Sequence, residues 1–243
     1  MRGKVYVGTS GWHYKHWRSV FYPIDLPASE MLRFYARHFD TVELNNSFYH
    51  LPTPATFDAW RDNSPDKFVF AVKGSRFITH MKKLKDPESS TEKFFLNAGR
   101  LERKLGPILF QLPPRWNVNV ERLANFLDAL PAGHQYVVEF RDESWLVPQV
   151  YDLLQRHNTA FCIHDLGGRQ TPLELTAGFT YIRFHGPTAA KYSGSYSLRA
   201  LENWADTISL WRNSGRTVYV YFNNDAGGAA IENASTLKTQ LKA

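Results

Sequence analysis

Several polar residues recur in one arrangement, two positions apart at the end of a short apolar run. Glu139 and Arg141 close Val137-Val138-Glu139-Phe140-Arg141, Glu43 and Asn45 close Thr41-Val42-Glu43-Leu44-Asn45, and Arg183 and His185 close Tyr181-Ile182-Arg183-Phe184-His185. On a strand, residues i and i+2 point to the same side. A charged pair facing one way at the end of an apolar strand needs a partner or a use, because unpaired buried charge is expensive. Other runs end alike: Thr9, Ser10 and Trp12 after the first, Lys73, Ser75, Arg76, Thr79 and His80 after the third, Gln111 after the fourth, His164 and Asp165 after the sixth, and Asn223, Asn224 and Asp225 after the last.

These residue types fit acid–base chemistry on an anionic compound. Glu43 and Glu139 would form a carboxylate pair; three strands apart in an eight-stranded barrel, their carboxyls would come within roughly 5–8 Å, the range used in glycoside chemistry. Lys73, Arg141 and Arg183 would hold an anionic group, arginine through its bidentate fork. His185 or His80 would shuttle a proton. The expected catalytic set is Glu43, Glu139, His185 and Asp225; the expected substrate-binding set adds Trp12, Asn45, Tyr49, Lys73, His80, Gln111, Arg141, Trp145, Arg183 and Asn223. The reaction expected is hydrolysis or isomerisation of a phosphorylated sugar or nucleotide-like compound, with no cofactor.

Two other readings stay open. Glu43, Glu139, His164, Asp165, His185 and Asp225 supply ligand types for a divalent metal in a phosphoesterase or isomerase, although several cations crowd them and no His-Glu-x-x-His motif is present. A non-catalytic nucleic-acid binder or adaptor is compatible with the basic balance and the loop aromatics, although no nucleic-acid module is recognisable. Plain structural roles exist for each part as well. Glu139–Arg141 serves equally as a structural ion pair, Glu43 as a counter-charge for Lys73 or Arg141, Asp225 as a helix cap, and Lys82-Lys83-Leu84-Lys85 as a solvated face. The loops Gly11–Pro23 and Gly186–Ser197 are expected either to close over a ligand or to pack as surface loops.

The elements that would position these residues alternate. Strands are expected at Lys4–Gly8, Thr41–Leu44, Phe68–Val72, Pro107–Phe110, Tyr136–Phe140, Ala160–Ile163, Thr180–Phe184 and Thr217–Phe222. Helices are expected at Ala28–Phe39 with Ser29 as cap, Pro54–Arg61, Thr91–Leu105, Asn119–Leu130, Pro148–His157, Leu198–Asn213 and Ile231–Leu241. Between the sixth and seventh strands only Leu173–Leu175 offers a turn. Eightfold alternation predicts an α/β TIM (β/α)8 barrel with a weak sixth helix, as one domain over residues 1–243. An open doubly wound sheet lacks its glycine-rich loop here.

Bulk properties narrow the class. The chain has 243 residues, 43% hydrophobic, and Lys+Arg exceed Asp+Glu by six (29 against 23), which favours anionic partners. No apolar run approaches a membrane span, no signal-peptide pattern follows Met1, and Cys162 stands alone. A cytoplasmic protein with no membrane partner is expected; the oligomeric state is not readable.

Taken together, certain stretches resemble one family. They are Gly8-Thr9-Ser10-Gly11-Trp12, Thr41–Asn45 with Phe48-Tyr49 and Pro52, Phe70–Lys73 with Ile78-Thr79-His80, Leu105–Pro114, Glu139-Phe140-Arg141 with Ser144-Trp145, Tyr181–Gly186 and Tyr221–Asp225. This is similar to the YecE-like family, domain of unknown function 72. The resemblance implies a TIM barrel and no established reaction. The lysine-rich segment after His80 and the helix-poor sixth unit look like this chain's own variations.

Overall fold

Short β-branched and aromatic runs become strands because their side chains pack on a pleated, buried surface. The computed structural model describes residues 2–242. Its strands are β1 (Val5–Thr9), β2 (Thr41–Leu44), β3 (Val69–Lys73), β4 (Leu105–Gln111), β5 (Tyr136–Glu139), β6 (Ala160–Leu166), the two-residue β7 (Arg169–Gln170), β8 (Phe179–Phe184) and β9 (Thr217–Phe222). Its α-helices are α1 (Met31–Tyr35), α2 (Asn46–Tyr49), α3 (Pro54–Asp62), α4 (Pro87–Ala98), α5 (Val120–Asp128), α6 (Pro148–Arg156), α7 (Leu198–Asn213) and α8 (Ala229–Gln240).

The chain divides into two compact units, the first Met1–Glu43, Ile163–Leu173 and Phe179–Ala243, the second Leu44–Cys162 and Glu174–Gly178. In the first unit β1 pairs in parallel with β9 (Gly8 opposite Tyr221) and β9 with β8 (Tyr221 opposite Arg183). A parallel bridge between Ser10 and Glu43 sets the end of β2 beside the end of β1. Its core is aromatic: Tyr35, Phe39, Tyr181 and Tyr221 are fully buried, with the Tyr181 and Tyr221 rings 5.1 Å apart. In the second unit β3, β4 and β5 pair in parallel, with Lys73 opposite Leu109 and Gln111 opposite Glu139, and β5 pairs with the start of β6. There Phe110 meets Phe126 of α5 edge to face at 4.9 Å.

Local chemistry sets several boundaries. Asn119 caps α5 by accepting from the Arg122 N–H at 2.8 Å, and Ser197 caps α7 by accepting from Ala200 at 3.2 Å. Pro54 opens α3 behind a Thr53 cap. Two expected helices depart most from their expected bounds. Ser29 caps nothing: it lies inside a 3₁₀ turn, Ala28–Glu30, ahead of the five-residue α1. The helix expected to run through Leu105 tightens to 3₁₀ at Gly99, and Glu102 takes φ 53°. Between β6 and β8 no helix forms; Gly167 and Gly168, both at positive φ, turn β7 back on β6.

Candidate functional site

In the first unit the polar tips of β1, β2 and β8 form one buried network. Glu43 and Arg183 are fully buried. Glu43 accepts from Ser10 Oγ at 2.6 Å, from Tyr181 Oη at 2.6 Å and from the Arg183 guanidinium at 2.8 Å. Tyr181 and Arg183 are two apart on β8, which is why both reach one carboxylate. Burial, reinforced by the Glu43 charge, holds the Tyr181 phenol well above its ordinary range, so it stays a donor. Both Glu43 oxygens are therefore engaged, and the carboxylate orients Arg183.

Arg183 in turn bears on His185, whose Nε2 lies 3.5 Å from the guanidinium. The Asn223 amide stands 3.0 Å from His185 Nδ1. An Asn223 oxygen turned to Nδ1–H leaves the Nε2 lone pair facing Arg183; the opposite turn sets donor against donor. The His185 backbone N–H donates to Asp165 at 2.7 Å, the other Asp165 oxygen accepts from Tyr196, and Tyr196 Oη accepts from the Gly186 N–H at 2.9 Å. Burial raises the Asp165 carboxyl to about 6, against the lowering effect of Tyr196 and the His185 amide.

Asp225 is used differently. It accepts from the indole of the fully buried Trp17 at 2.7 Å and pairs with His16 at 3.1 Å. Burial raises its carboxyl, and His16 and Trp17 oppose that. Trp12 is buried, and its carbonyl accepts from the buried Tyr22 hydroxyl at 2.6 Å. The segment Gly11–Pro23 is thus a packed loop pinned by Asp225. In Gly186–Ser197, Pro187–Tyr192 are exposed, while Tyr196 at one end and the Asn224-to-Gly194 bond of 2.8 Å fix the base.

In the second unit the tips of β3, β4 and β5 gather cations. Lys73 is buried, lies 4.1 Å over the Phe48 ring and donates to Gln111 Oε1 at 2.8 Å. Ser47 of α2 donates to the Lys73 carbonyl at 2.6 Å, which docks that short helix on β3. Glu139 is fully buried and ion-paired with Arg141, with Cys162 Sγ 3.8 Å from its other oxygen. After β3 the chain makes one π turn, Phe77–Met81, closed by the Lys82 N–H on the Phe77 carbonyl at 2.8 Å. Such turns are rare and cluster at functional positions.

That turn carries His80. Its ring packs on the edge of Phe48 at 5.0 Å, and Nδ1 lies 2.9 Å from Thr79 Oγ1. When Thr79 donates to the Ser75 carbonyl at 3.5 Å, it accepts from Nδ1–H and leaves Nε2 as an acceptor. Burial first, then the charges of Lys73, Arg76 and Arg141, push His80 down to about 4, so it is neutral at pH 7 among three cations. Asn45 Oδ1 in this unit is buried with no hydrogen-bond partner among the described residues, while Tyr49 is 66% exposed.

The expected site residues divide accordingly. Glu43, Arg183, His185 and Asn223 form one network; Lys73, His80, Gln111, Glu139 and Arg141 gather in the other unit. Trp145 is withdrawn from any ligand: it is completely buried, stacks on Phe140 at 5.0 Å, and its only polar atom donates to the Trp116 carbonyl at 2.6 Å. Tyr181, Phe48 and Tyr196 take part although none is in the expected site sets. Tyr181 was signalled by its spacing from Arg183; Phe48 carried no local signal, because only tertiary packing sets Lys73 over it. Among the described residues, no group of three or more His, Cys, Asp and Glu side chains is arranged to hold a metal ion, and no helix is long and apolar enough to cross a membrane.

Parallel strands alternating with helices and carrying polar C-terminal tips define the class: an α/β TIM barrel. D-psicose 3-epimerase shares that fold with this chain at TM-score 0.53 and 12% identity, covering 100% of this chain and 96% of that one, a likeness of fold alone. The chain belongs to the DUF72 family, described as a protein of unknown function, whose profile matches residues 6–243. It is similar to YunF of Bacillus subtilis (28% identity over 96% of this chain and 93% of the relative) and to YecE of Escherichia coli K12 (30% identity over 56% and 48%). A solved DUF72 family structure from Thermotoga maritima superposes at TM-score 0.88 and 31% identity, covering 99% of this chain and 100% of that one.

Proposed function

We propose that this protein is an enzyme that binds a small anionic substrate, a phosphorylated sugar or nucleotide-like compound, and moves a proton on it in hydrolysis or isomerisation. The observation that carries this reading is a neutral imidazole set among cations: His80 beside Lys73, Arg76 and Arg141. Lys73 and Arg141 hold the anion, Arg141 being oriented by its buried partner Glu139. Gln111 fixes the Lys73 ammonium, and the open Asn45 Oδ1 takes a hydroxyl proton of the substrate. His80 accepts the moving proton. An arriving anion neutralises the charges that hold His80 down, so binding itself raises the imidazole toward working range. The lone cysteine, Cys162, is buried, and this suits action in the reducing cytoplasm.

The test is an NMR titration of the histidine ring with and without inorganic phosphate or a sugar phosphate. The His80 midpoint is expected to start near 4 and to rise by about a unit or more on saturation. Lys73→Met is expected to abolish the rise while leaving the fold intact by circular dichroism. A His80 midpoint unmoved by any phosphorylated compound would sink the reading.

A further inference from the structure

The loop that carries His80 continues into a surface that the small-anion reading does not use. Residues 73–85 hold five of the chain's 29 lysines and arginines and no acid. This segment carries a strained backbone. Lys83, Leu84 and Asp86 all take left-handed φ, at 49°, 62° and 48°. Each such non-glycine residue is costly and persists only where its surroundings over-determine it. Here they do. Leu84 is buried, its N–H donates to the Ile78 carbonyl at 3.0 Å, and Lys82 grips Asp86 at 2.9 Å. The strained backbone leaves Lys83 and Lys85 exposed.

Aromatic rings interleave with these cations. Phe77 is 42% exposed with the Lys82 ammonium 5.9 Å from its ring centroid. Trp116 is half-buried with Lys83 at 6.0 Å from its ring, and Arg122 reaches the Lys83 carbonyl at 3.5 Å. A bare sulfate or inorganic phosphate has no use for ring faces. A duplex keeps its bases stacked inside. A single strand offers both a charged backbone and free base faces, and aromatic platforms beside cations are how proteins take it.

We propose that Phe77, Lys82, Lys83, Lys85, Trp116 and Arg122 form a landing surface for single-stranded nucleic acid, which delivers a nucleotide of that strand to the cationic site around Lys73 and His80. This rests on the anion-binding reading above and narrows its substrate class to a nucleotide within or at the end of a strand.

The test is fluorescence anisotropy of the full chain with a labelled oligothymidylate of on the order of 12 nucleotides, a length within known single-strand site sizes. Affinity is expected to fall at least about tenfold between roughly 50 and 200 mM salt. The double variant Lys83→Glu, Lys85→Glu is expected to lose at least about tenfold in affinity and to flatten the salt slope by roughly two. Phe77→Ala is expected to weaken binding several-fold with the salt slope unchanged. No binding, or binding indifferent to the charge reversal, overturns the proposal. So does a heparin affinity that matches the oligonucleotide's with Phe77→Ala silent, which marks a plain polyanion surface, or a preference for anionic lipid vesicles. His80 still shifting with inorganic phosphate while the oligonucleotide fails to bind would remove this inference alone and leave the small-anion site standing.

Discussion

Glu43, fully buried, and Asp165, half-buried, are carboxylates with different physical work. Glu43 accepts three hydrogen bonds, one from a buried arginine, and so behaves as a fixed counter-charge. Glu43→Gln keeps the shape and removes the charge facing Arg183. Breaking a buried pair in this way is expected to cost about 3 kcal/mol, read from urea unfolding; a loss below about 1 kcal/mol would show that Glu43 is not what holds Arg183. Asp165 is raised to about 6. Between its ordinary value and 6 the folded protein binds the extra proton, so its contribution to stability is lost as pH rises through that window. His80, pushed down to about 4, works in the opposite direction: its contribution is present above its ordinary value and lost as pH falls toward 4. The two slopes oppose each other in the native protein. Asp165→Asn is therefore expected to show stability climbing with pH from about 4 to 6, and His80→Gln to show it declining, in denaturant melts across that range. Identical slopes in both variants would contradict the assignment.

Among the elements, the connections after the strands do more to place chemistry than the strands do. One π turn after β3 carries His80 and Thr79, and a loop after β8 begins at Gly186. Gly186 has φ 103°, and a Cβ there would lie 2.1 Å from the Ser193 carbonyl oxygen. Gly186→Ala thus meets a conformational penalty and a backbone clash together, expected to cost about 2 kcal/mol or more in thermal unfolding. The same change should displace the Gly186 N–H from Tyr196 and alter the His185 ring resonances. A variant with wild-type melting and unchanged His185 signals would mean that the loop base is not rigid.

For the molecule as a whole, charge is the long-range property. A net charge of +6 raises the encounter rate with anions of several charges, and salt screens it over a Debye length of about 10 Å at 0.1 M. Stopped-flow association with inorganic pyrophosphate is expected to slow several-fold between roughly 20 and 200 mM salt. An association rate indifferent to salt would confine the electrostatics to contact range.

The sequence by itself determined what is local. The i, i+2 spacing brings Glu139 to Arg141 and Arg183 to His185, although Arg141 and His185 lie just past the ends of their strands, and short apolar runs placed strands such as Thr41–Leu44 and Thr217–Phe222 at their observed bounds. Only the tertiary structure decided partners. Glu43 has Arg183, 140 residues away, where sequence offered Lys73 and Arg141 as counter-charges. Trp145 is spent on packing, and Asp225 pins a loop. Which face a residue takes follows from its own strand's pleat; which residue it meets follows from inter-strand register and packing, which no single stretch of sequence contains.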